Sequence, residues 1–294
     1  MNQPSPLASW NGEVMPLSEV RVSVLDRAFL FGDAIYEALR VYEGRPFLLD
    51  EHMARLRRSL DQIRIETDVD HISRRILELL ERQPVRDGLI YLQVTRGEAP
   101  RTHYFPANPT EPNELIYVSP LEDDPHAEHR KTGVGVVTFD DLRWKRCDIK
   151  SVNLLGNCLA AQAAREAGCA EAILVSADGT ITEGSHTSLF GVRDGAVMTA
   201  PLARNILPGI TRNLVVQLAN RADIPIREEP LSRDRLPEVD ELFLTGTTAE
   251  VLPVTRVDDR PVGSGQPGKV TCQIAAAYRG YVADWLAGDA SPSS

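Results

Sequence analysis

Chemistry that needs an amine has few candidates in this chain. There are only four lysines, Lys131, Lys145, Lys150 and Lys269, and every other fixed positive charge is arginine. A guanidinium does not give up its proton, so it serves neither as an amine nucleophile nor as a proton shuttle. Lys131 stands in a polar run, Lys269 in a Gly/Pro loop, and Lys145 between Arg143 and Arg146. All three read as solvated. Lys150 differs: it lies in RCDIKSVNLLGN, with Ile149, Val152, Leu154 and Leu155 around it. Apolar surroundings disfavour the charged amine and make it a usable nucleophile.

Two further patterns invite an anion and a ring nitrogen. Residues 207–214, LPGITRNL, open a helix at Ile210 whose first turn holds Thr211, Arg212 and Asn213 but no acid. Free N–H groups at such an end suit a phosphate. A helix entered simply through Pro208-Gly209 explains the same stretch. Thr245-Gly246-Thr247-Thr248 is a second small, hydroxyl-rich turn after a strand. Glu183 ends the alternating run Thr180-Ile181-Thr182, beside Ser185, Thr187 and Ser188. By itself it reads as a solvated strand-end carboxylate. Taken together, a lysine for a Schiff base, a carboxylate for a pyridinium nitrogen and a helix end for a phosphate are the needs of pyridoxal 5'-phosphate.

Two other motifs point elsewhere. GSGQPGK at 263–269 matches the glycine-lysine part of a phosphate-binding loop, and on it rests a remote alternative, a P-loop-like NTPase. Val270 occupies the position of the metal-binding hydroxyl, and no later strands complete the unit. His126 and His129 lie near Asp123 and Asp124, but the Pro-flanked segment reads as a solvated linker, and no metal site is expected.

The elements that must position these residues follow from periodicity. Residues 36–49 read as a hairpin about Glu43-Gly44. Apolar spacing predicts helices over 50–64, opened by Asp50 as N-cap, and over 70–83. Strands follow at 88–96 and 114–119. The polar run 121–132 reads as an interdomain linker between a small α+β domain, 1–120, and a larger cofactor-binding domain, 133–294. In the latter we expect a strand at 133–143, a helix at 152–167 and hairpins at Asp178-Gly179 and Asp194-Gly195. A helix at 210–221, a strand at 241–245 and a last helix at 271–286 complete it. The net charge of -10 argues against a general partner for nucleic acid or anionic membranes. Cys147, Cys158, Cys169 and Cys272 form no CxxC pair and read as free thiols of a reducing cytoplasm.

The motifs DRAFLFGDAIYEALRVYEG (26–44), EHMARL (51–56), IYLQVTRG with PRTHYFP (90–106), RWKRCDIKSVNLLGN (143–157), TITEGS (180–185), ILPGITR (206–212) and LFLTGTTAEVLPV (242–254) run through most of the chain. Here the sequence resembles the fold-type IV (class IV) pyridoxal-phosphate aminotransferases, and among them the D-amino acid transaminases. The resemblance implies an α+β chain in two domains, the larger built on a β-barrel-like core, and a homodimer with the site between domains. It makes Lys150 the catalytic Schiff-base lysine and proton shuttle, and Glu183 the partner of the pyridinium nitrogen. Arg55, Ile210, Thr211 and Thr247 would hold the phosphate, with Leu207 against the ring. Tyr36, Arg101 and His103 would hold the substrate carboxylate, the last two from the neighbouring subunit. The substrates implied are D-amino acids and 2-oxo acids. Siblings remain as alternatives: a branched-chain L-amino acid transaminase, an (R)-amine transaminase or a 4-amino-4-deoxychorismate lyase. His186, Ser188 and Gly246 depart from the family pattern.

Overall fold

The computed structural model describes residues 6–121 and 123–289. The chain divides into two compact units: Met1–Asp123 with Ile149–Asn153, and Asp124–Asp148 with Leu154–Ser294. The sequence places the whole of 133–294 in one domain; the segment around Lys150 instead joins the first unit.

In the first unit the strands are β1 (Leu7–Trp10), β2 (Glu13–Pro16), β3 (Ala34–Tyr42), β4 (Arg45–Pro46), β5 (Gly88–Thr95) and β6 (Glu114–Pro120). They form one antiparallel sheet in the order β2-β1-β6-β5-β3-β4. The helices are α1 (Arg27–Phe31), α2 (Leu49–Ile63) and α3 (Val69–Arg82). Period-2 alternation sends Ile35, Leu39 and Val41 of β3 into a core with Met53, Leu56 and Leu60 of α2 and Ile72 and Ile76 of α3. Glu43 and Gly44 both have positive φ, which suits a tight two-residue hairpin turn. The second hairpin strand is shorter than expected, ending at Pro46. Asp50 is not the N-cap of α2: Leu48 holds that position, and Asp50 and Glu51 lie inside the first turn, where acids favour the helix dipole. The expected helix over 152–167 starts three residues late. Residues 151 and 152 serve as a strand partner instead, Ser151 bridging Ile35 and the Val152 N–H donating to the Ala34 carbonyl at 3.2 Å.

The second unit holds α4 (His129–Thr132), β7 (Val134–Asp140), α5 (Leu155–Glu166), β8 (Glu171–Val175), β9 (Ile181–Gly184), β10 (Ser188–Arg193), β11 (Ala196–Thr199), α6 (Ile210–Arg221), β12 (Ile226–Arg227), β13 (Glu241–Gly246), β14 (Glu250–Val257), β15 (Arg260–Pro261) and α7 (Lys269–Ala287). Its sheet runs β12-β11-β10-β13-β14-β7-β8-β9, with β15 on β14. β9 and β10 lie five strand steps apart in that order, about 24 Å in a flat sheet. Yet Gly184 and Ser188 are joined by a turn that reaches at most about 14 Å. The sheet must therefore curl until β9 returns beside β10, giving the barrel-like core. Leu189, Met198, Leu242, Leu244, Leu252 and Val254 fill part of it. Among the described residues no helix is long and apolar enough to cross a membrane.

Candidate active site

The expected site residues fall on both units, and each set is built by its own local structure. In the first unit, β3 and the Ile149–Asn153 segment run side by side. The Tyr36 N–H donates to the Lys150 carbonyl at 3.0 Å. This pairing brings the Lys150 Nζ to 4.1 Å from the centre of the Tyr36 ring. Tyr36 stacks on Tyr91, and Tyr91 on Tyr117, so the amine ends an aromatic row. Burial and the neighbouring phenols push the Tyr91 hydroxyl up to about 12. Lys150 is half-buried, whereas Lys131, Lys145 and Lys269 are exposed. Of the apolar residues flanking it in this unit, Ile149 is buried in the core but Val152 only half-buried. The amine is flanked by a ring face more than by the aliphatic residues that the sequence suggested.

On the opposite face of β3, Glu37 takes a core position and is fully buried. Arg55 of α2 grips it with two nitrogens, Nε to Oε1 at 2.8 Å and Nη2 to Oε2 at 2.7 Å. His52 Nδ1 lies 2.7 Å from Oε2. Burial acts against the charge on Glu37, but Arg55 and His52 together hold its carboxyl far below the usual range. Burial keeps His52 below its own usual value. Neither Glu37 nor His52 was foreseen. The signal was present: a glutamate at a core period of a strand, facing His and Arg three apart on a helix. Arg101 and His103 are exposed and flank Phe31, the Arg101 guanidinium 5.2 Å and the His103 ring 5.6 Å from its centre.

In the second unit, Glu183 lies inside β9 and is buried, not solvated. Arg143 donates to its Oε1, and the Leu207 N–H donates to Oε2 at 3.2 Å. The rest of the Arg143 fork is held by Asp141, with Nε at 2.9 Å and Nη2 at 2.8 Å. Burial pushes the Glu183 carboxyl up, and Arg143 opposes it. Asp141 is held below the usual range despite burial, by Arg143 and the Thr182 hydroxyl. The sequence offered Arg143 only as a neighbour of Lys145.

The two Gly-led helices of this unit part company. At α7, Glu241 accepts from the N–H groups of Val270 at 3.0 Å and Thr271 at 2.7 Å. A side-chain carboxylate thus occupies the helix end that the GSGQPGK loop leads into, and a phosphate would be repelled there. At α6, Gly209 is the N-cap, no side chain caps it, and the first turn holds no acid. Arg212 turns to Glu228 at 2.9 Å and to the Ala200 carbonyl. Thr211 is buried, while Leu207 and Ile210 are half-buried. A Cβ on Gly209 would meet Ser188 Oγ at 3.0 Å. Ser188 pairs with Thr245 across β10 and β13, so both side chains share one face. Thr245 is 2 % exposed, and its hydroxyl oxygen has no hydrogen-bond partner among the described residues. A buried orphan hydroxyl near an uncapped helix end fits a bound anion such as a phosphate. Thr247 follows in the half-buried turn after Gly246. His126 and His129 lie 6.3 Å apart between ring centres, and among the described residues no group of three His, Cys, Asp or Glu is placed to hold a metal.

Residues 34–257 match the family model described as amino-transferase class IV. The D-alanine aminotransferase of Bacillus licheniformis is 42% identical over 275 residues, 93% of this chain and 96% of that protein. That of Staphylococcus aureus (strain MSSA476) is 39% identical over 274 residues, 92% and 96% of the two chains. Among solved structures, the branched-chain amino acid aminotransferase of Escherichia coli superposes with a TM-score of 0.89 at 28% identity, over 99% of this chain and 97% of its own. The branched-chain amino acid aminotransferase of Thermobaculum terrenum, in its PLP form, does so at 0.84 and 25%, over 98% and 96%. With the family model covering most of its length and its curled barrel-like sheet, the chain belongs to the class IV aminotransferases.

Proposed function

We propose that this aminotransferase uses pyridoxal 5'-phosphate to exchange the amino group of a D-amino acid, such as D-alanine, with a 2-oxo acid such as 2-oxoglutarate, as a cytoplasmic homodimer. The observation that carries the reading is Lys150, the one lysine of the four that is not exposed, set against the ring of Tyr36. When bound, the cofactor supplies an aldehyde for amines and a ring that draws electrons from the substrate Cα. Lys150 is the amine that carries it, and when displaced moves the proton at the substrate Cα. Glu183, steadied by Arg143, holds the proton on the ring nitrogen. The α6 N-terminus with Ile210 and Thr211, together with Thr247 and Arg55, holds the phosphate, and Leu207 lies against the ring. Glu37 fixes the plane of the Arg55 guanidinium.

Arg101 and His103, with Tyr36, hold the substrate carboxylate, the first two from the second copy. A guanidinium offers a carboxylate paired donors, and histidine adds a third. This pair and the relatives named D-alanine aminotransferase favour the D series. The solved structures named for branched-chain amino acids favour a second reading, L-leucine-type donors. One experiment separates them. The purified protein is incubated with 2-oxoglutarate and either D-alanine or L-leucine, and the glutamate formed is resolved by chiral chromatography. The proposal expects D-glutamate with an equal amount of pyruvate. L-Glutamate from L-leucine, with none from D-alanine, would replace it by the second reading.

A further inference from the structure

The polar run read as a linker contains a largely covered cation. Arg130, in the four-residue helix α4, has a side chain only 10% exposed. Its guanidinium is spread over four groups. One nitrogen binds Asp124. Nη2 donates to the Thr248 carbonyl at 2.8 Å. Nε donates to the Ala249 carbonyl at 3.2 Å and lies 3.3 Å from Glu250 Oε2.

Those two carbonyls belong to the turn that joins β13 to β14 directly after Thr247. The turn is a strained one. Gly246 and Glu250 are its register pair, and Glu250 has a φ of 57° with no glycine to accept it. A hairpin of this length normally places glycine at its left-handed position. Something must therefore hold Glu250 there. Arg130 does so from both sides, through the carbonyl before Glu250 and through its side chain. Peptide units are planar, so fixing the Thr248 and Ala249 carbonyls fixes the two planes that close the turn.

We propose that Arg130 is a positioning residue for the cofactor phosphate: it locks the Thr247–Ala249 turn in the shape that presents Thr247. This rests on the reading of Thr247 as a phosphate ligand. The effect is specific to the phosphate, because Arg130 acts through the turn alone and not through Lys150 or Glu183.

The test compares two ligands on apoprotein by equilibrium binding: pyridoxal 5'-phosphate, and pyridoxal, which lacks the phosphate. Arg130→Met is expected to weaken pyridoxal 5'-phosphate by about tenfold or more, the worth of one misdirected hydrogen bond to a charged group. Pyridoxal affinity is expected to stay unchanged. Arg130→Lys keeps the charge but not the fork and is expected to fall between. It carries the same test if the methionine variant does not fold. An unchanged ratio of the two affinities in these variants, or an equal loss for both ligands, overturns the role of Arg130. A wild-type protein that binds the two ligands equally overturns the phosphate reading, and the proposal with it.

Discussion

Arg143 binds Glu183 with one nitrogen of its guanidinium while Asp141 holds two others. The arrangement joins one cation to a buried carboxylate, Glu183, and a half-buried one, Asp141. It explains how a carboxylate that burial pushes toward protonation can keep a charge. Asp141 in turn is tied by the Thr182 hydroxyl at 2.8 Å, one residue before Glu183. The network fixes the position of Glu183 and opposes the upward push of burial on its carboxyl.

Removing the cation should therefore be costly. Arg143→Met leaves buried Glu183 and half-buried Asp141 without their shared cation, and denaturant unfolding should show a loss of about 3–5 kcal/mol. The pull on Glu183 toward ionisation is lost, so its carboxyl should move further up. A stability change within about 0.5 kcal/mol would mean that the pair is solvated in solution.

Glu183→Gln separates chemistry from binding. An amide does not hold the ring nitrogen protonated, so turnover with D-alanine should fall by about 100-fold or more. Cofactor affinity should fall far less, since the phosphate contacts proposed for Thr211 and Arg55 would remain. Unchanged turnover would reduce Glu183 to a structural ion pair with Arg143.

Glu37 makes an acid-stability prediction with a definite sign. Its carboxyl lies below the usual value of 4.5 in the folded chain because Arg55 and His52 outweigh burial. A depressed carboxylate contributes stability that is fully present above the unfolded value and is lost as pH falls toward the folded one. Wild-type stability should thus fall steadily below about pH 4.5. Glu37→Gln should flatten that limb and lower stability at pH 7 by about 3–5 kcal/mol, since buried Arg55 loses the carboxylate charge that faces it. Parallel acid limbs in the two proteins would contradict this.

Much of this was legible because local rules agreed. Apolar spacing located α2 and α3 to within a residue or so, and the acid-free start of α6 stood out at Gly209. What stayed hidden depends on contacts distant in sequence. β1 and β2 are short, and the pairing of β1 with β6 leaves no local signal. Residues 152 and 153 read as the start of a helix until β3 is there to pair with the segment that holds them. Glu37, Arg143 and Arg130 each owe their burial to a partner on another element. Charged residues look solvated in a sequence, and only the fold shows which of them are paired inside.

The carboxylate trap should act between subunits. Arg101 and His103 are exposed on the first unit, beside Phe31. Inactive Lys150→Ala and Arg101→Ala chains, co-refolded, should regain D-alanine activity at the one site that has both residues intact. A verified hybrid that stays silent would place Arg101 in the same chain's site.

The most direct test of the account asks which lysine carries the cofactor. The protein loaded with pyridoxal 5'-phosphate is reduced with borohydride and digested, and the labelled peptide is sequenced. The phosphopyridoxyl group is expected on Lys150 alone. A label on Lys131, Lys145 or Lys269 would contradict it.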